Sequence, residues 1–429
     1  MWKMMLWIIA VATLSASTLY AQGIADDWQG TLKAGTGLRL ILHITKSDNG
    51  GWNAMLFSID QGPDGIAVTS LTLQGSDFKF SVDPIHGSYE GKLSADGSSI
   101  KGTWTQGQSL PLDLQRGTKE MAWQRDSSPH TTSFITADNN VKLEVLDWGG
   151  SGRPLVLLAG LGNTGHVFDE FAPKLSATYH VYGITRRGFG ASSAPAPANG
   201  NYSADRLGDD VLAVVDSLKL HRPVLVGHSI AGEELSSIGS RHPDKVAGLI
   251  YLDAGYSYAY YDRTQGDLLI DSLELRKKLQ QLMPGVGPQD PKQLVQELLQ
   301  TSLPQFEKDL QAHQKELEAM PAQPQRPGEV PIVAQAIFAG QQKYTDIRDP
   351  ILAIFAVPHD LGPVFKDDPA ARAAAEASDA ARAGAQAKAF ESGLPSARVV
   401  RLPNANHYVF QSNEADVLRE MNAFLSSLP

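Results

Sequence analysis

The 429-residue chain contains no cysteine. Disulfides, thiolate metal sites and a cysteine nucleophile are excluded together. The compartment is not, because a chain that can bury a large core needs no covalent staples even outside the cell. Positive charge is also in deficit: 37 Lys and Arg against 47 Asp and Glu give a formal net charge of −10. Nucleic-acid binding depends on clustered Lys and Arg against phosphates, so that partner class is set aside. Long apolar runs are scarce. The one at the N-terminus begins after Lys3, covers residues 4–14 and gives way to small and polar residues at 15–21. That layout is expected to be a secretory signal peptide over residues 1–21, cut after Ala21, with an uncleaved anchor as the alternative. The run is short for a membrane span of about 20 residues. The expectation is an exported protein, periplasmic or extracellular, with no integral span once the signal is removed.

What is present is an ordinary globular composition, 42% hydrophobic and 20% charged, which excludes wholesale disorder, collagen and coiled coil. It is laid out in two rhythms. Residues 24–117 carry short alternating runs, such as Phe78-Lys79-Phe80-Ser81-Val82, separated by glycine turns such as Ala95-Asp96-Gly97. A period of two with frequent turns predicts a small antiparallel barrel or sandwich. Residues 118–130 are polar and read as a linker. From 131 to 429, continuous apolar runs alternate with helical stretches. The runs include Pro154-Leu155-Val156-Leu157-Leu158, Pro223-Val224-Leu225-Val226 and Ile351-Leu352-Ala353-Ile354-Phe355-Ala356. This predicts an α/β domain with a mostly parallel sheet flanked by helices, whose ligand site lies at the carboxyl ends of the strands. A Leu- and Gln-rich stretch at about 256–348 is expected to form a helical cap, and the Ala-rich stretch 366–391 a surface helix.

The strand ends carry the chemistry. After Val224-Leu225-Val226 comes Gly227-His228-Ser229-Ile230-Ala231. A serine on a sharp strand-to-helix turn needs small residues two positions before and after it. It also gains from the positive end of the following helix. On these residues the chain resembles the α/β-hydrolase superfamily from about residue 131 to the C-terminus, with Ala231 in place of the motif's last glycine. The stretch GSYEGKLSADGSSIKGTWTQGQSLPLDLQR, residues 87–116, resembles a lipocalin-like β-domain found ahead of exported hydrolases. That domain is read as a stabilising or weakly ligand-binding appendage.

The resemblance implies a Ser-His-Asp triad in chain order Ser, acid, His. Ser229 is the expected nucleophile. His407, alone among the eleven histidines in lying beyond the last apolar run, is the expected base. Asp360, after residues 351–356, is the expected acid. Asp253, after residues 248–252, is the alternative, because some members take the acid from that earlier strand. The backbone N–H groups of Leu161 and Ile230 are the expected oxyanion donors. His359 is read as a loop residue, and Glu233 and Glu234 as helix starters. Asn163 and His166 are read either as reaching the site or as ordinary loop groups. No cofactor or metal is implied: there is no His-Glu-x-x-His helix and no Gly-x-Gly-x-x-Gly turn.

Within the superfamily, haloalkane dehalogenases and epoxide hydrolases use an aspartate nucleophile, and Ser229 speaks against both. The expected activity is hydrolysis of a carboxylic ester of a small molecule through an acyl-enzyme. A prolyl-type aminopeptidase or amidase and a carbon–carbon bond hydrolase are the alternatives. A ligand-binding protein on a hydrolase scaffold is the non-enzymatic one.

Overall fold

A computed structural model describes residues 23–32, 38–47, 51–58, 65–117, 128–198, 200–283, 290–319, 331–362 and 368–429. The expected signal peptide and most of the expected linker lie outside these residues. The chain divides into two compact units, the first built on nine strands and the second running from residue 124 to the C-terminus.

The first unit contains β1 (Asp27–Leu32), β2 (Leu38–Lys46), β3 (Trp52–Ser58), β4 (Gly65–Ala67) and β5 (Ser70–Gln74). It continues with β6 (Asp77–Val82), β7 (Gly87–Leu93), β8 (Ser99–Gln106) and β9 (Gln108–Arg116). They form one curled antiparallel sheet in the order β4-β3-β2-β1-β9-β8-β7-β6-β5. In β6, Phe78, Phe80 and Val82 are buried while Asp77 and Lys79 are exposed, which is the period-two pattern of a strand with one apolar face. Phe80 and Tyr89 stack at 5.1 Å between ring centroids, and Trp104 closes over Phe80. Gly87 is required there, because a Cβ would collide with the Trp104 ring.

The second unit is built on an eight-stranded sheet: β10 (Thr131–Thr136), β11 (Lys142–Gly149), β12 (Pro154–Leu158), β13 (His180–Ile184), β14 (Val224–His228), β15 (Gly248–Leu252), β16 (Ile351–Ala356) and β17 (Ala397–Leu402). The order is β10-β11-β13-β12-β14-β15-β16-β17. Pairing is antiparallel through β10, β11 and β13 and parallel across the rest. Every residue of β14, β15 and β16 is buried, as expected of central strands covered on both faces.

Two apolar layers sandwich this sheet. One includes Val211, Val215, Leu235, Ile238 and Phe390, from α2 (Ala204–Ser217), α3 (Gly232–Arg241) and α8 (Pro369–Gly393). The other includes Phe168, Phe171, Leu175, Met421 and Phe424 on the opposite side. Among the described residues, four α-helices lie between β15 and β16: α4 (Leu268–Gln281), α5 (Pro291–Glu297), α6 (Leu303–Ala319) and α7 (Ile332–Ala339). Among the described residues, no helix is long and apolar enough to cross a membrane.

Candidate active site

Five consecutive parallel strands end on the same rim. The residues just beyond them are Ala159 after β12, Ser229 after β14, Asp253 after β15, His359 after β16 and His407 after β17. Ser229 stands at φ 53°, a left-handed conformation that non-glycine residues rarely adopt. The turn can be this sharp because its neighbours are small. A Cβ on Gly227 would press on Leu235, and one on Gly232 would collide with the Ala254 carbonyl oxygen. α3 therefore starts hard against the sheet, and the serine is thrust out at the helix N-terminus.

The Ser229 hydroxyl lies 2.9 Å from His407 Nε2, to which it donates. His407 Nδ1 donates in turn to a carboxylate oxygen at 2.6 Å. That carboxylate belongs to Asp253, not Asp360. The expectation for the acid is corrected here, and the reason is local geometry. Asp253 follows β15 without a gap, at φ 46°, with its N–H donating to Ile354 of the neighbouring strand, so its side chain stays on the rim under His407. Asp360 sits four residues beyond β16. Its N–H donates to Ala405, and its carboxylate accepts from the Gly362 N–H in an exposed turn.

Asp253 is fully enclosed and saturated with donors. Oδ1 accepts from the Ala356 N–H at 3.0 Å. Oδ2 accepts from His407, from His359 Nε2 at 2.7 Å and from the Tyr256 hydroxyl at 3.2 Å. Burial pushes its carboxyl up, but hydrogen bonds from His359 and His407 and the positive charge of His359 outweigh it and hold the group well below the carboxylate range.

His359 has a larger part than its place in a loop suggests. Besides donating to Asp253, it donates from Nδ1 to Asp379 Oδ2 at 2.9 Å, and its backbone N–H donates to the same oxygen at 2.8 Å. Burial alone would lower its pKa. Two carboxylates facing its two ring nitrogens instead raise it to about 9. The ring is thus a fixed imidazolium behind Asp253. Spacing could not have announced this, since Asp379 lies twenty residues downstream in the Ala-rich helix α8.

Other groups brace the rim. His228 is buried and donates from Nε2 to the backbone carbonyl of His407 at 3.1 Å. Burial lowers its pKa to about 3, so it stays neutral. Arg186 pairs with Glu234 at 2.5 Å and donates to the carbonyls of Ala159 and Gly160, tying the turn after β12 to α3. Leu161, in that turn, packs against Ile230 together with Phe189, Tyr258, Val333 and Ile337. This gives the neighbourhood of Ser229 an apolar wall. The Tyr258 hydroxyl is buried beside Ser229, Asp253 and Glu233.

Glu233 and Glu234 do open α3, but both are buried rather than solvated. Neither oxygen of Glu233 makes a hydrogen bond. Burial, and then the neighbouring Glu234 charge, raise its pKa well above the usual range, which favours the protonated form. Asn163 accepts from the Tyr408 hydroxyl at 3.0 Å, which places it near the loop of His407. His166 instead joins a separate buried group with His130 and Asp169. Asp253, His359 and His407 also have ligand atoms within 4.8 Å of one another. Their lone pairs and protons, however, are committed to the network that reaches Ser229.

A sequence profile described as alpha/beta hydrolase fold matches residues 153–414, more than half of the chain. Among curated proteins, the fluoroacetate dehalogenase of a Burkholderia species is 35% identical over 116 residues, which is 27% of this chain and 38% of that protein. Epoxide hydrolase A of Mycobacterium tuberculosis is 32% identical over 123 residues, 28% of this chain and 38% of that protein. The chain thus spans about two fifths of the length of the curated relatives it matches. The solved structure of a hydrolase from Pseudomonas aeruginosa is 20% identical and covers 69% of this chain and 99% of that one, with a TM-score of 0.44.

Proposed function

Because the chain belongs to the α/β-hydrolase fold family, we propose that it is a serine hydrolase that cleaves a small-molecule carboxylic ester through an acyl-enzyme. The observation that carries this reading is the unbroken line of hydrogen bonds from Ser229 Oγ through His407 to Asp253. Serine is a poor nucleophile until a base removes its proton. Here His407 Nε2 accepts that proton as Oγ attacks the acyl carbon. Nδ1–H stays on Asp253, which fixes the tautomer and stabilises the imidazolium. The oxyanion is held by the N–H groups of Ile230, at the start of the turn into α3, and Leu161. His407 then gives its proton to the departing alkoxide. A water molecule, deprotonated by the same nitrogen, releases the acid and restores Ser229.

His359 acts through Asp253. Its fixed positive charge and its pull on Oδ2 hold the carboxylate ionised and oriented, so it is a positioning residue. An ester fits the surroundings better than a strongly charged substrate, since the wall formed by Leu161, Phe189, Ile230, Val333 and Ile337 is apolar. The dehalogenase and epoxide-hydrolase names of the relatives do not transfer, because the elbow residue here is a serine.

The test is intact-mass analysis after treatment with a fluorophosphonate. One adduct on the wild type and none on Ser229→Ala is the expected result. No adduct on folded wild type, or equal labelling of both, would overturn the proposal.

A further inference from the structure

Behind the turn that follows β12 lies a second cluster of ionisable side chains that the hydrolytic site does not use. His130 comes from the segment leading into β10. His166 and Asp169 come from the turn at residues 165–169, and Glu144 from β11. Their side chains are almost wholly enclosed: 0% of His130, 4% of His166, 9% of Asp169 and 3% of Glu144 is exposed. His130 Nε2 lies 3.5 Å from Asp169 Oδ1, and His166 Nδ1 lies 3.2 Å from Asp169 Oδ2. The facing atoms of all three residues fall within 4.8 Å of one another.

These separations are the informative feature. His407–Asp253 closes to 2.6 Å and His359–Asp379 and His180–Asp147 close to 2.9 Å, whereas the His166–Asp169 hydrogen bond is long, at 3.2 Å. His130 Nε2 stands 3.5 Å from Asp169 Oδ1, which accepts no hydrogen bond. A tetrahedral ion with ligands at 2.0–2.1 Å sets its ligand atoms about 3.4 Å apart, close to the two imidazole–carboxylate separations of 3.5 and 3.2 Å.

The outward nitrogens are also provided for. His166 Nε2 faces Glu144 Oε1 at 3.7 Å, while Glu144 Oε2 is anchored by the Thr185 hydroxyl at 2.6 Å. His130 Nδ1 lies 3.5 Å from Thr132 Oγ1. A polar group behind a ligating imidazole fixes its tautomer and raises its basicity. Two buried carboxylates need positive charge close by; a divalent cation bound here takes the place of the proton that they otherwise hold on His166.

We propose that His130 Nε2, His166 Nδ1 and the Asp169 carboxylate form a structural site for a zinc-like divalent cation, with Glu144 orienting His166. Two imidazoles with one carboxylate suit zinc and its transition-metal neighbours. Calcium and magnesium favour all-oxygen shells. The ion staples residues 128–130 to the turn at 165–169. That junction already holds Ser128 Oγ, which donates to the Asp169 carbonyl and accepts from Trp148 Nε1 at 2.6 Å. The site is independent of whether Ser229 hydrolyses an ester.

The experiment strips the full-length protein with a chelator, adds one equivalent of zinc(II), removes excess by desalting, and measures bound metal and melting temperature. The expected result is one zinc per chain and a rise in Tm of about 5 °C. Both are lost in His130→Gln and kept in His359→Gln. Fluorophosphonate labelling of Ser229 is unchanged by zinc, because the ion does not capture His407. No retained zinc, zinc kept by His130→Gln, or zinc lost in His359→Gln overturns the site. If His130→Gln does not fold, X-ray absorption of zinc-loaded wild type decides, read together with the labelling. Two imidazoles in the shell with Ser229 still reactive support the site. An all-oxygen shell or blocked labelling refutes it.

Discussion

Replacing His359 by glutamine removes a cation that faces both Asp253 and Asp379, and the structure sets the size of the effect. In the folded protein, Asp253 Oδ2 and Asp379 Oδ2 lie 2.7 and 2.9 Å from the two ring nitrogens. The Tyr256 hydroxyl is 3.3 Å from Nε2, and Arg382 pairs with the far side of Asp379. The His359 pKa rises from 6.5 to about 9. A tenfold gain in proton affinity on folding is worth about 1.4 kcal/mol, so protonated His359 contributes about 3 kcal/mol to stability. The sign follows from the direction of that rise. The folded state holds its proton more tightly than the unfolded chain, so the contribution is complete below pH 6.5, shrinks as pH climbs, and is gone above the folded value near 9. Urea unfolding of wild type and His359→Gln near pH 6 should therefore differ by about 3 kcal/mol, and near pH 10 by no more than the single neutral hydrogen bond of about 1 kcal/mol that remains. Both proteins carry every other titrating group, so those effects cancel in the difference. A gap of the same size at both pH values would refute the reasoning, as would a variant as stable as wild type at low pH.

Three further outcomes follow from the same structure. Asp253→Asn should lower kcat on an ester by about 10⁴-fold, because it deprives His407 Nδ1–H of its acceptor and favours the wrong tautomer. Asp360→Asn should leave kcat within about twofold, since substitutions at exposed positions away from the site are near neutral; steady-state kinetics of the pair distinguishes them, and equal losses would return Asp360 to the site. Glu233 has a carboxyl raised by burial, so its proton is retained on folding while the unfolded chain loses it above the ordinary value, and stability is drained as pH rises. Glu233→Gln should therefore gain in Tm relative to wild type on going from pH 5 to pH 8, and a gain that is flat with pH would show that Glu233 is ionised in the fold.

The division between what was legible and what was hidden runs along the physics of the strands. Period-two runs such as Phe78-Lys79-Phe80-Ser81-Val82 disclosed an antiparallel sheet, because alternation reports a strand with one dry face. Unbroken runs such as residues 351–356 disclosed central parallel strands. The elbow at Ser229 was readable because its sharp turn demands small residues at fixed spacing, and His407 because it follows the last run. Local sterics and burial periodicity are written in neighbouring residues, so the amino-acid sequence by itself determined these features.

The acid was not readable. Asp253 and Asp360 both follow an apolar run, and the sequence offers the same residue type at each. The choice depends on where β15 ends relative to β17, and on a loop after β16 that turns Asp360 outward. The same holds for His359 with Asp379, for the buried Glu233, and for His130 with His166 and Asp169. The pairings of His359 with Asp379 and of His130 with Asp169 join groups on different elements, with partners 20 or more residues apart. Hydrogen bonds and charges act over a few ångströms of space and carry no trace of separation along the chain, so only the tertiary structure decided which of these residues meet.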